Sequence, residues 1–157
     1  VLLQLQDEGR VDLQRAVTAY LPWLRIEQPF GPVTLHHLLT HTSGLPDMVP
    51  DNEKLRRAHQ PLAAFVRETC RLGLLFPPGT RVNYQSMGIL MLAEIVHQVT
   101  GVTLAEFLAK EVFGPLEMND TFLGVQGQRR ERIVHVRVPA ALEKEDWNWN
   151  GAYWQGL

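Results

Sequence analysis

Apolar positions along this 157-residue chain recur mostly at helical spacing, and Pro and Gly separate one stripe from the next. Residues 1–8 read as the end of an apolar helix, stopped by Gly9 because glycine enters the left-handed conformation cheaply. Asp12 is placed to cap a short turn toward Tyr20, which Pro22 then limits. Thr34 predicts the next helix start, with Leu35, Leu38 and Leu39 on one face and Gly44 and Pro46 closing the element. Residues 48–59 are polar and irregular, a loop or a loosely helical excursion. Pro61 fits the first position of a helix that carries Leu62, Phe65, Val66 and Leu72 and closes at Gly73. The run Pro77-Pro78-Gly79-Thr80 predicts a tight turn, followed by a short extended piece at 82–84. Ser86 then opens a strongly apolar helix through Val99, ended near Gly101. Thr103 and Glu106 form a capping-box pair for a last helix through Val112. Residues 121–125 and 133–138 carry weak strand patterns. The sum is a helix-rich unit: one domain, or part of one.

Composition narrows the function more than the fold. A formal net charge of -2 and scattered basic residues give no reason to expect nucleic acid or an anionic membrane as partner. The densest basic group, Arg129, Arg130 and Arg132, is offset by Glu131 and reads as a solvated loop. The single Cys70 excludes an intrachain disulfide and a cysteine-based zinc site, and it reads as a structural thiol. No apolar run reaches the roughly 18 to 20 residues a bilayer span needs. Residues 1–5 are too short for a signal peptide, and both ends read as cuts inside a domain, an expectation that leaves the compartment open.

Three clusters invite chemistry. His36, His37 and His41 lie close together, but no acidic residue falls among them; they read as turn histidines bonded to backbone, so no metal or cofactor is expected. Ser43 sits in His41-Thr42-Ser43-Gly44, where a His-activated serine competes with a polar turn that satisfies helix-end carbonyls. The turn is preferred, and an esterase built on Ser43 and His41 remains a weaker reading. The stretch Pro78-Gly79-Thr80-Arg81-Val82-Asn83-Tyr84-Gln85-Ser86 holds the most information. A rigid turn throws an extended piece forward, so that a phenol and a hydroxyl stand at the start of an apolar helix. On spacing alone Tyr84 reads as structural, since a phenol of normal pKa, about 10, is a poor base at neutral pH. The aromatic tail from Trp147 to Trp154 reads as core, with a cleft floor as the other possibility.

A family resemblance changes the weight on Tyr84. The string from Thr34 to Leu45, with its His41-Thr42-Ser43-Gly44 core, resembles a signature segment of the β-lactamase-related serine hydrolases: class C β-lactamases, DD-peptidases and esterases. The stretch from Pro78 to Tyr84 resembles the segment that carries the family's Y-x-N motif, and residues 1–17 resemble the helix that follows the nucleophile. Pro115-Leu116-Glu117-Met118-Asn119-Asp120-Thr121 resembles the family's P-L-G-M-x-D-T block. The four blocks occur in family order and cover about residues 1–124.

The resemblance implies an α+β fold: a mainly helical portion of a β-lactamase/transpeptidase-like domain, truncated at both ends of 1–157, with much of its antiparallel sheet missing. It also implies a mechanism. A serine in an S-x-x-K motif attacks a carbonyl of a small-molecule or peptide substrate and forms an acyl-enzyme. The lysine and the Y-x-N tyrosine shuttle the proton, and a K-T-G or H-x-G strand completes the site. Tyr84 takes the tyrosine position as catalytic residue; Ser86 takes the third position, where Asn is common, as substrate-binding residue. Ser offers one hydroxyl where Asn offers an acceptor and two donors, which makes β-lactam hydrolysis less certain than ester or amide hydrolysis. Glu117 in place of Gly touches only the local turn. Neither S-x-x-K nor K-T-G or H-x-G occurs in the chain, so 1–157 alone is expected to be inactive and marginally stable. The alternative is a non-catalytic relative that binds peptides or a partner in the same cleft.

Overall fold

The computed structural model describes residues 1–24 and 31–124, together with Arg137 and Pro139. The chain divides into two compact units: Val1–Asn52 with Pro61–Leu104, and Glu53–Gln60 with Ala105–Leu157. Six α-helices are described: α1 Leu2–Asp7, α2 Leu35–Leu39, α3 Asn52–Arg57, α4 Leu62–Thr69, α5 Ser86–Thr100 and α6 Leu104–Leu108. Among the described residues there is no strand, and pairing is limited to one isolated antiparallel bridge between Ala16 and Thr34.

The first unit is organised around α5. Met87, Met91 and Ile95 recur four residues apart, as do Gly88, Leu92 and Val96, and all six are buried. That i, i+4 repetition makes one apolar face. The helix packs on α4, which buries Phe65 and Val66, and on α2, which buries Leu35 and Leu38. Leu5, Val17, Leu21, Val33 and Leu45 complete the core. Each fully buried aliphatic side chain removes enough apolar surface from water to contribute about 1.5–3 kcal/mol. α5 stops where expected: Gly101 is left-handed and its amide donates to the His97 carbonyl at 2.8 Å.

Local expectations are met in part. α1 ends before a left-handed Gly9. Thr34 caps α2, but Leu39 lies on the exposed side at 37%. Asp12 accepts the Gln14 amide in a tight turn, and the helical turn before Tyr20 is a three-residue 3-10 piece, Val17–Ala19. Pro61 stands at the N-cap of α4 rather than inside it, in an extended conformation. α4 ends at Thr69, so Leu72 lies beyond the helix; Thr69 Oγ1 donates back to the Phe65 carbonyl, a bond typical of a serine or threonine in a last helical turn.

In the second unit, Glu53 and Arg57 pair at 2.8 Å on one face of α3. The helix expected through Val112 is present as two pieces, α6 and a π-helical turn Ala109–Phe113. Glu117 has φ +54, the left-handed region that favours glycine, and its amide donates to the Gly114 carbonyl at 3.0 Å. The substitution in the Pro115–Met118 block therefore falls on the one residue whose backbone asks for Gly. Residues 121–124 form no strand. The second expected strand, the Arg129–Arg132 cluster and the Trp147–Trp154 tail lie outside the described residues, Arg137 apart.

Candidate active site

Tyr84 is held by a strip of backbone that leaves α2. After Leu39 the chain turns through His41, at φ +57, and Gly44, at φ +83. Glycine is required at the second position, because a Cβ there would stand 2.3 Å from the Phe76 carbonyl oxygen. The carbonyls of this strip receive three amides from the later segment: Leu75 donates to Gly44, Gly79 to Thr42 and Asn83 to His41, each at 2.8 Å. Paired backbone groups of this kind fix a loop as firmly as a sheet edge would. They carry the Pro77–Thr80 turn across the end of α2 and aim the extended chain at α5.

Successive side chains then alternate, as extended backbone requires. Gln85 points inward and is fully buried. Its Nε2 donates to the Leu38 carbonyl at 3.3 Å, and its Oε1 accepts from the Ser43 hydroxyl. Gly88 makes room for it: a Cβ there would come within 2.8 Å of the Gln85 amide group. Ser43 Oγ also accepts the Leu45 amide at 3.0 Å. The hydroxyl is thus buried and used twice within the scaffold, which removes the access an esterase nucleophile would need. His41 does not activate it. Instead His41 Nδ1 accepts the Gln85 amide at 3.3 Å, while its ring lies 4.9 Å from the Tyr84 ring at an interplanar angle of 37°. His41 therefore brackets Tyr84, with its carbonyl on Asn83 and its imidazole on Gln85.

Tyr84 points the other way, and Ser86 begins the helix. Tyr84 is 66% exposed. Ser86 is half-buried and opens α5, and both its backbone amide and its hydroxyl donate to Asp47 Oδ1 at 2.7 Å. The Met87 amide donates to the Asp47 carbonyl oxygen at 3.3 Å. Gln85 at the N-cap makes no side-chain cap bond, so Asp47 does that work from 39 residues away. A carboxylate is well placed there, satisfying an orphan helix amide and facing the positive end of the helix dipole.

Tyr84 and Ser86 are the residues the motif points to; Asp47 and Gln85, which hold their backbone, are not marked by any motif. The sequence signals only the need: a long helix preceded by Gln, a poor cap, takes an acceptor from elsewhere, and nothing local names Asp47 as that acceptor. His37, like His41, serves local structure. His37 Nδ1 accepts the Thr34 amide at 3.2 Å and the His37 amide donates to Thr34 Oγ1 at 3.3 Å, a capping box with His in the third position. No cluster of three or more His, Cys, Asp or Glu forms a metal site among the described residues. Cys70 is buried and its thiol is pushed up to about 11, chiefly by burial, which keeps it protonated and inert. A cavity of about 370 Å³ lined by Trp23, Ala63, Val66, Arg67 and Glu94 includes no predicted site residue. No single described helix is long and apolar enough to cross a membrane.

Solved structures define the class. A D-stereospecific amidohydrolase from Streptomyces sp. superposes with a TM-score of 0.64 at 26% identity, over 75% of this chain and 38% of that one. A β-lactamase/D-alanine carboxypeptidase from Yersinia pestis shares the fold with a TM-score of 0.69 at 24% identity, over 85% and 40%. The described helices thus belong to a β-lactamase/transpeptidase fold. The family model described as Beta-lactamase matches residues 1–156, and the chain belongs to that family. Its relatives include penicillin-binding protein 4* of Bacillus subtilis, 29% identical over 85% of this chain and 30% of the relative. A β-lactamase of Escherichia coli is 31% identical over 87% and 37%, and esterase EstB of Burkholderia gladioli 29% over 92% and 41%. The chain spans well under half the length of these relatives, and two of the three, the β-lactamase and the esterase, are hydrolases by name.

Proposed function

We propose that residues 1–157 form part of a single serine hydrolase domain that acts through an acyl-enzyme on an amide, ester or β-lactam carbonyl. In this reading the S-x-x-K nucleophile and the K-T-G or H-x-G strand belong to sequence outside the chain, and 1–157 alone is inactive. The observation that carries it is the mounting of Tyr84: an exposed phenol on a fixed extended lead, bracketed by His41 and followed by Ser86 at a helix start. During acylation the serine proton passes to the lysine–Tyr84 pair as the serine oxygen bonds the carbonyl carbon. The same proton then reaches the leaving group as the carbonyl–heteroatom bond breaks. Ser86 faces the substrate beside the acyl group.

The test uses the full-length protein that contains this chain. Tyr84→Phe is expected to lower kcat by roughly 10² to 10⁴-fold, the usual worth of a positioned proton-transfer group, with circular dichroism unchanged. Undiminished turnover in that variant would remove Tyr84 from the mechanism. Labelling by a fluorophosphonate or a fluorescent penicillin supports the acyl-enzyme; no labelling and no turnover would favour a peptide-binding relative instead.

A further inference from the structure

We infer that Asp47 locks Ser86 as a hydrogen-bond acceptor, and that the pair selects acyl donors bearing an N–H group beside the reacting carbonyl. The inference rests on the reading above in one respect, that Ser86 faces the substrate. A serine hydroxyl has one proton and two lone pairs. In this structure the Ser86 proton is directed at the Asp47 carboxylate at 2.7 Å, a charge-assisted bond, and the Ser86 amide holds the same oxygen at the same distance. The carboxylate cannot swing away without giving up the Ser86 amide and uncapping α5, and the Met87 amide on its backbone oxygen holds the Asp47 main chain in place. Donation by Ser86 to a substrate carbonyl would break the stronger bond to make a weaker one. What remains at this position is the Ser86 lone pairs and, behind them, a negative charge.

The polarity of the subsite follows. An Asn in the place of Ser86 would offer a substrate carbonyl its NH₂ group; the Ser86–Asp47 pair offers nothing to a carbonyl and accepts from an amide or ammonium N–H. Both residues are half-buried, so water competes weakly but the position is reachable. Asp47 is a positioning residue in this scheme: it acts through the orientation of the Ser86 hydroxyl.

The experiment compares two p-nitrophenyl esters on the full-length protein, an N-acylglycyl ester and its acyloxyacetyl analogue, which differ by N–H against O next to the scissile carbonyl. The leaving group is common to both, and dividing the ratio of kcat/KM by the ratio of the uncatalysed hydrolysis rates removes the difference in intrinsic acyl reactivity, so that the corrected ratio reads the subsite. The wild type is expected to favour the N–H substrate by about tenfold, the worth of one good hydrogen bond. In Asp47→Ala the Ser86 hydroxyl is released and the ratio falls toward one. Should that variant fail to fold for want of its helix cap, Ser86→Asn gives the same information, since its amide donates and the ratio drops or reverses. A wild-type ratio near one, or a tenfold ratio that survives both substitutions while Ser86→Ala alters the rates, overturns the role of Asp47 and leaves the hydrolase reading standing. Rates and ratio both untouched by Ser86→Ala show that Ser86 does not face the substrate. No turnover of either ester and no labelling of the protein would overturn the hydrolase reading and this inference with it.

Discussion

The two ends of α5 are held by different physics. From Met91 onward the helix is fixed by burial, with Met91, Leu92, Ile95 and Val96 turned into the core against neighbouring helices. At Ser86 it is fixed by directed bonds, with Asp47 on the first turn, Gln85 folded inward and His41 on the residue between Tyr84 and Ser86. Apolar contact is strong and tolerant of small slips, because it depends on area more than on angle. Hydrogen bonds add less net energy but set direction, since they weaken steeply off their preferred geometry. The apolar face runs the length of the helix from Met87, and the directed bonds that set position are added at its start, where the proposed chemistry lies.

Breaking the apolar end should show the larger effect. Ile95 is fully buried, and Ile95→Ala is expected to cost about 2–5 kcal/mol from lost transfer energy and the cavity left behind. Urea denaturation of the full-length protein measures this, and turnover per folded molecule should change little. A drop in turnover as large as that of Tyr84→Phe would mean that the two ends are not separable. Ser43→Ala probes the directed end. It strands the Gln85 Oε1 and the Leu45 amide in a buried setting, at a cost of about 1–3 kcal/mol. Folded Ser43→Ala should keep its labelling and most of its turnover. Abolished labelling would restore Ser43 as a nucleophile and refute the buried-scaffold role given to it here.

The same contrast explains what could be read from the chain. Features set by near neighbours were legible: the apolar run after Ser86, the Gly101 stop and the Thr34 cap all depend on residues a few positions away, and each is where the pattern put it. The ends of α4 were less so. Leu72 fits the helical period, but the chain leaves the helix at Cys70, and periodicity carries no information about a terminus decided by tertiary packing. At the site, Tyr84 was visible through its motif, whereas its supports were not. Asp47 meets Ser86 across 39 residues and Gln85 meets Ser43 across 42, and no local rule links positions so far apart. Of the three histidines read as backbone-bonded, His37 and His41 each accept a backbone amide, yet the partner of the His41 ring followed from the fold alone.

The smallest effect concerns the polar start of α2, where a titrating residue holds the cap. His37 Nδ1 can accept the Thr34 amide only while it carries no proton. Burial lowers the His37 pKa from its ordinary 6.5, and the charge of His36 adds to the shift. Between the lowered value and 6.5 the unfolded chain binds more protons than the folded one, so stability rises with pH across that window. It is lost as pH falls below about 6.5, and the loss is bounded by the worth of a helix cap, about 0.5–2 kcal/mol. His37→Gln separates this residue from the other histidines, because Gln at the third position closes a capping box without titrating. Unfolding midpoints measured from pH 7.5 to pH 5 should fall less steeply in His37→Gln than in the wild type. Parallel slopes would show that the proton on His37 does not reach the cap, and that the directed end of this scaffold is insensitive to pH at α2.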